Sequence, residues 1–180
     1  MIRRIVTVND KDGASTFSSD GLSPWCASFK SIPGFEVSML WATDASDSPA
    51  EADFPDSGEG PRSWVPGPGG SLVVVVTFPP VSVMMSDQFD GMAAHREQME
   101  KLPGLAERFE AENPGMHCTP TLDYGVLLSG KICLELDNGQ TRDLQAHDVV
   151  VQRGTRHAWR NPGPHPATVL FVMLGSASSR

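Results

Sequence analysis

The stretch MHCTPTLDYGVLLSGKICLEL, residues 116–136, decides how the chain is read. It has the β-branched and aromatic content of strands and ends its first run at Ser129-Gly130. Side chains alternate faces along a strand, so His117, Thr119, Thr121 and Asp123 are predicted to share one face. That face is polar and lines something wet or metallic. The other parity, Cys118, Leu122, Val126 and Leu128, is mostly apolar and is expected to pack against another sheet.

A matching segment lies further on. In QRGTRHAWRN, residues 152–161, Gly154 makes a turn, and His157, Trp159 and Asn161 share a parity. His157 is therefore placed to face His117 and Asp123 across a small barrel. Trp159 is expected in the wall of a pocket or in plain core packing. Tyr124 alternates away from Asp123 and is expected outside the pocket. Arg153 and Arg156 flank the turn as solvated side chains or as contacts for an anionic substrate at the barrel mouth. His147 is expected to be exposed at a hairpin corner.

Around these segments the chain reads as short strands with turn punctuation. Asn138-Gly139 is a strong two-residue hairpin signal. SLVVVVTFPP (71–80) is a buried strand stopped by two prolines, and PATVLFVML (166–174) is a last apolar strand. Strands at ~8 to 12 residue spacing argue for a barrel or sandwich. Residues 86–113 interrupt them with helix formers, with Ser86 as an N-cap and Pro103 dividing two short helices. Leu102, Leu105 and Phe109 form one apolar helical face. His95, a helical histidine among Arg and Glu, reads as a solvated surface residue. Residues 1–70 are expected to be an N-terminal strand arm followed by a Pro/Gly/Ser-rich surface loop (45–70), on which Trp64 packs at the surface. The barrel proper is expected over 71–177.

Composition narrows the function classes. The 180 residues suffice for one domain with a core. A formal net charge of −8 opposes binding to nucleic acid or to an anionic membrane. There is no apolar run of membrane-spanning length and no apolar export-signal core. Cys26, Cys118 and Cys133 are odd in number and widely spaced, which fits a reducing cytoplasm and small buried side chains rather than disulfides. Met84, Met85, Met92, Met99 and Met116 read as core fillers.

From about residue 71 to 174 the chain resembles a small single-barrel cupin. The first cupin motif, His-x-His, three or four residues, Glu, six residues, Gly, is met by His117, Thr119, Asp123 and Gly130. The end of the second motif is met by Gly154, His157 and Asn161. Thr119 stands where the second histidine would be, Asp123 where the glutamate would be, and Gln152 near the usual proline. The resemblance implies an all-β jelly-roll barrel with the strand arm and the helical insertion, and a homodimer.

Two imidazoles and a carboxylate, His117, Asp123 and His157, suit a divalent metal, Fe, Zn, Mn or Ni, with positions left open for substrate. The other reading of the three is a hydrogen-bonded polar cluster without metal. Thr119, Trp159 and Asn161 would line the substrate pocket. The expected function is a metal-dependent enzyme of lyase, dehydratase, decarboxylase or isomerase type, acting on a small oxygenated organic molecule. The alternatives are an Fe(II) dioxygenase and a non-catalytic small-molecule binding cupin.

Overall fold

The computed structural model describes residues 2–47 and 61–176. Its architecture is all-β. A hairpin of β1 (Arg3–Asn9) and β2 (Ser15–Leu22) forms a two-stranded sheet of its own. Next come β3 (Trp25–Ser28), β4 (Glu36–Thr43) and β5 (Ser71–Phe78). After the helical insertion follow β6 (Thr121–Ser129), β7 (Lys131–Glu135), β8 (Thr141–Gln145), β9 (Val149–Arg153), β10 (Ala158–Arg160) and β11 (Ala167–Gly175). A six-stranded antiparallel sheet runs β3-β4-β5-β11-β6-β9, and a three-stranded sheet runs β10-β7-β8.

Residues 25–43 join the main sheet, because β4 pairs with β5 from Glu36↔Thr77 to Thr43↔Ser71. The sheet therefore continues across residues 70 and 71, where the sequence suggested a boundary. The β1–β2 hairpin pairs with neither larger sheet, and Arg4 on β1 reaches the Leu40 carbonyl and the Trp41 ring of β4. Much of the expected 45–70 loop, residues 48–60, lies outside the described residues.

Burial follows the pleat. On β6, Thr121, Asp123, Gly125 and Leu127 turn inward, while Tyr124 and Leu128 are exposed. The apolar parity beginning at Cys118 thus faces outward more than onto a second sheet, since this face of β6 has no layer over it at Tyr124 and Leu128. Met39, Leu72, Leu127, Ile132 and Val169 form the most deeply buried part of the core, each such side chain contributing about 1.5–3 kcal/mol.

The turns behave as their residues demand. Asn138 (φ 58°) and Gly139 (φ 68°) reverse the chain between β7 and β8, which pair from Lys131↔Gln145 to Glu135↔Thr141. Gly130 adopts φ 83°, and a Cβ there would lie 2.7 Å from the Pro166 carbonyl oxygen and 2.8 Å from the Ala167 Cα. No other residue fits between β6 and β7 without strain.

The insertion is shorter in helix than its sequence suggested. Helix α1 (Gly91–Lys101) is capped by Asp90, whose side chain accepts from the Met92 and Ala93 amides. Ser86 instead accepts from Gln88 N in the preceding turn. Beyond Pro103 and Gly104 (φ 82°) only a 3₁₀ turn forms, Ala106–Arg108. Glu97 fastens α1 to the barrel. Its carboxylate accepts from Lys30 N at 2.9 Å, Ser31 N at 2.7 Å and Lys101 Nζ at 2.8 Å.

Three further expectations are corrected. Cys26 on β3, an edge strand of the main sheet, and Cys118 in the segment ahead of β6 are exposed, and Cys133 on β7 is half-buried. Met84 and Met85 are exposed in the turn ahead of α1, and Met92 and Met99 are exposed on α1, which buries only Ala94; Met116 alone of the five is in the core. Trp64 is buried rather than laid on the surface, and its backbone N–H donates to the Pro103 carbonyl at 2.8 Å.

Candidate functional site

The inward face of the barrel and the insertion beside it line a cavity of about 960 Å³, within the size range of small-molecule sites. Its walls are largely aromatic and aliphatic, with Phe78, Phe109, Trp159 and Phe171 prominent. Trp159 packs edge-on to Phe171, with ring centroids 5.3 Å apart, and sits 6.3 Å from the His157 ring. Polar side chains that interrupt this lining include His117, Thr119, Asp123, Gln152 and His157.

His117 and His157 are brought together by backbone pairing. Each amide donates to the other's carbonyl at 2.9 Å, forming an isolated antiparallel bridge just ahead of β6 and β10. Their ring centroids lie 4.3 Å apart. His117 Nδ1 lies 3.1 Å from the Gly115 carbonyl oxygen, and His157 Nδ1 lies 2.8 Å from that of Thr155. A carbonyl only accepts, so both Nδ1 atoms carry the proton and both Nε2 atoms keep a free lone pair. Burial pushes the His157 imidazole down to about 4, helped by the positive charge that His117 would place beside it. Burial also lowers His117. Both rings are neutral near pH 7, the form that ligates metals.

Asp123 projects inward from β6 and is buried. Burial raises its carboxyl to about 6, against hydrogen bonds from the Thr121 and Thr119 hydroxyls. Its Oδ1 has no hydrogen-bond partner among the described residues. Thr119 and Thr121 are themselves linked, Oγ1 to Oγ1, at 2.7 Å.

Asn161 borders the cavity, yet its polar atoms are engaged by backbone. Nδ2 donates to the Phe78 carbonyl at 3.0 Å and the His165 carbonyl at 2.8 Å, and Oδ1 accepts from Gly163 N at 3.0 Å. It pins the 161–165 loop to the end of β5. Arg156 is also engaged: Nε and Nη2 each lie 2.6 Å from the Glu110 carboxylate, and Nη1 lies 2.5 Å from Asp137 Oδ1. Arg153 and His147 are exposed, and Tyr124 lies on the outer face.

Several cavity residues went unselected in the sequence, three of them with polar atoms of note. His95 is exposed and borders the cavity beside α1. Trp64 reaches the cavity from the Pro/Gly-rich segment, and its indole N–H lacks a partner. Gln152 is buried on β9, and both ends of its amide lack partners. Its own segment carried no signal for Gln152; the β6–β9 ladder, which pairs it with Asp123, is what singles it out.

The donor types suit a divalent metal, with two unprotonated Nε2 atoms and a carboxylate oxygen in want of a partner. The structure brings together the two imidazoles. Among the described residues, no group of three or more His, Cys, Asp or Glu side chains is gathered to hold a metal ion.

The all-β fold, with His117, Asp123, Gly130, Gly154, His157 and Asn161 at their spacings, is similar to that of cupin barrels. No family model matches the chain. It is 59% identical over 61 residues to phomopsin biosynthesis cluster protein C' of Diaporthe leptostromiformis, covering 33% of this chain and 32% of that one. It is 43% identical over 76 residues to oryzines biosynthesis cluster protein J of Aspergillus oryzae, covering 39% and 42%. It is 39% identical over 62 residues to the cupin-domain-containing oxidoreductase virC of Hypocrea virens, covering 33% and 32%. The chain thus spans about a third of the length of the first curated relatives it matches. Among solved structures, a putative ethanolamine utilization protein Q from Salmonella typhimurium aligns over 98% of each chain at 11% identity, with a TM-score of 0.44. A Cupin 2 conserved barrel domain protein from Salinispora arenicola aligns over 59% of this chain and 65% of that one, at 17% identity and a TM-score of 0.36. No helix among the described residues is long and apolar enough to cross a membrane.

Proposed function

We propose that the chain is a metal-dependent enzyme that transforms a small, oxygenated and mainly apolar molecule inside the barrel cavity. The observation that carries this reading is the imidazole pair, with each Nδ1 committed to a carbonyl and each Nε2 left open beside the cavity. His117 and His157 are the proposed ligands of a divalent metal, Fe, Zn, Mn or Ni. Such a metal, when bound, supplies Lewis acidity toward a substrate oxygen.

The chain's own residues do the rest. Asp123, lifted to about 6, is suited to take a proton from the substrate at Oδ1 and return it, because a base works best with its pKa near the working pH. The Thr121 and Thr119 hydroxyls hold its carboxylate in place. Trp159, Phe171 and Phe109 exclude water and seat the apolar body of the substrate. Proton transfer beside a polarised oxygen is lyase or isomerase chemistry. An oxidative reaction is the second reading, favoured by the oxidoreductase names of relatives such as virC.

Elemental analysis of protein purified without chelator tests the reading, with close to one metal per chain expected. His157→Ala is expected to empty the site. Asp123→Asn is expected to keep the metal and lose turnover; loss of the metal in that variant would instead make Asp123 a ligand, as the motif spacing implies. Metal-free wild-type protein would remove the proposal.

The chain is further proposed to pair as a homodimer. Ile5, Val8, Phe17 and Leu22 leave apolar surface exposed on the β1–β2 hairpin, and Val149 and Val151 do so on β9, an edge strand of the main sheet.

A further inference from the structure

We propose that Gln152 recognises the polar head of the cavity's ligand, and that this head carries a hydrogen-bond donor beside an acceptor, as a carboxamide or a hydroxy-carbonyl group does. The inference rests on the barrel cavity being the substrate site, and not on the metal.

Three observations carry it. Gln152 is 3% exposed, and neither Nε2 nor Oε1 has a partner among the described residues. It borders the cavity, at the inward position of a strand whose residues 149, 151 and 153 all face solvent. It stands in register with Asp123, whose Oδ1 is likewise without a partner. A buried amide left unsatisfied destabilises the fold for each hydrogen bond it fails to make. The rest of β9 up to this point is valine, so an apolar side chain would suit the strand better. An amide that weakens the empty barrel makes sense when an incoming molecule satisfies it.

The geometry of a carboxamide narrows what that molecule offers. Its N–H and C=O point the same way from one planar group and form two parallel hydrogen bonds with a partner that has the complementary pair. The same pairing lets a glutamine read the adjacent donor and acceptor of adenine. A head with acceptors only, such as a carboxylate or a tertiary amide, satisfies half of it. The aromatic walls then take the body, so the ligand is amphipathic, with a compact head and an aromatic or branched aliphatic frame.

The experiment uses four probes with one shared phenyl body: phenylacetamide, 2-hydroxyacetophenone, phenylacetate and N,N-dimethylphenylacetamide. Calorimetric titration at pH 7 compares wild-type protein, Gln152→Met and Gln152→Glu. At least one of the first two is expected to bind wild type roughly 10-fold or more tightly than the last two, since a site built for hydrogen bonding rejects analogues that lack them. Whichever does so names the head. Gln152→Met is expected to erase that preference and to melt no lower than wild type, because it removes only an unsatisfied amide. Gln152→Glu, which has acceptors but no N–H, is expected to lose it as well.

Equal binding of all four probes, or no binding of either donor-bearing probe, overturns the proposal. So does a Gln152→Met chain that keeps the preference or melts lower, which would make the amide a structural group. Metal content read on the same samples keeps the two proposals apart. Its loss in wild type would sink the metal enzyme and leave the probe result standing.

Discussion

His117 and His157 exchange two backbone hydrogen bonds of 2.9 Å and hold their rings 4.3 Å apart, although 40 positions separate them in the chain. One bridge between the lead-in to β6 and the lead-in to β10 therefore sets the distance between two potential metal ligands. Rigid backbone, rather than side-chain packing alone, presents the pair to the cavity.

The pH dependence of stability follows from the two kinds of buried group. His157 has a folded pKa near 4, below the usual 6.5, so in metal-free protein its contribution falls as pH drops from 6.5 to 4. His117 acts in the same direction. Asp123 has a folded pKa near 6, above 3.8, so its contribution falls as pH rises from 3.8 to 6. For His157 and Asp123 the limit is about 3 kcal/mol each, and the slopes oppose. Asp123→Asn is expected to unmask the histidine slope. Urea unfolding of the metal-free variant should show stability climbing between pH 4 and 6.5, where wild type changes less; matching curves would refute the assignment.

Gly130→Ala tests the turn that closes the first motif. The new methyl would meet the Pro166 carbonyl oxygen at 2.7 Å in a backbone held at φ 83°. Strain and clash together predict a loss of about 2–4 kcal/mol, read as a lower urea midpoint with unchanged slope. A loss below ~1 kcal/mol would mean that the β6–β7 turn relaxes freely.

Arg156 links the insertion to the barrel through both oxygens of Glu110 and through Asp137. The Arg156 guanidinium holds the Glu110 carboxyl down at about 2, so the link persists to low pH. Arg156→Ala is expected to speed amide exchange at Glu110, which donates to the Met116 carbonyl, and at Met116, while the β5 and β11 amides stay protected. Uniform protection would show that the ion pairs do not secure this segment.

Much of the site was legible in strand parity. Asp123 and Tyr124 fall on opposite faces as alternation requires, and Asn138-Gly139 turns where its φ preference demands. The rest depended on contacts distant in sequence. Trp64 sits in a composition that reads as loop, and only its docking at Pro103 buries it. The methionines of α1 look like core residues until the helix is seen to bury one alanine. Gln152 becomes conspicuous only when the β6–β9 register sets it opposite Asp123. Cysteine burial failed for the same reason, because residue type does not say which face of a strand is covered.

Association is tested by sedimentation. Phe17 is 73% exposed on β2, and Val151 is 56% exposed on β9. If these surfaces meet in a dimer, Phe17→Glu or Val151→Glu should raise its dissociation constant 10-fold or more. A wild-type chain that sediments as a monomer at tens of micromolar would contradict the pairing.

The most direct measurement is ¹⁵N NMR of the imidazole rings. Metal-free protein at pH 7 should show His117 and His157 as neutral rings with the proton on Nδ1. One equivalent of Zn²⁺ should then shift both Nε2 resonances together and leave both Nδ1–H groups in place. Rings protonated at Nε2, or Nε2 resonances that ignore the metal, would contradict the account.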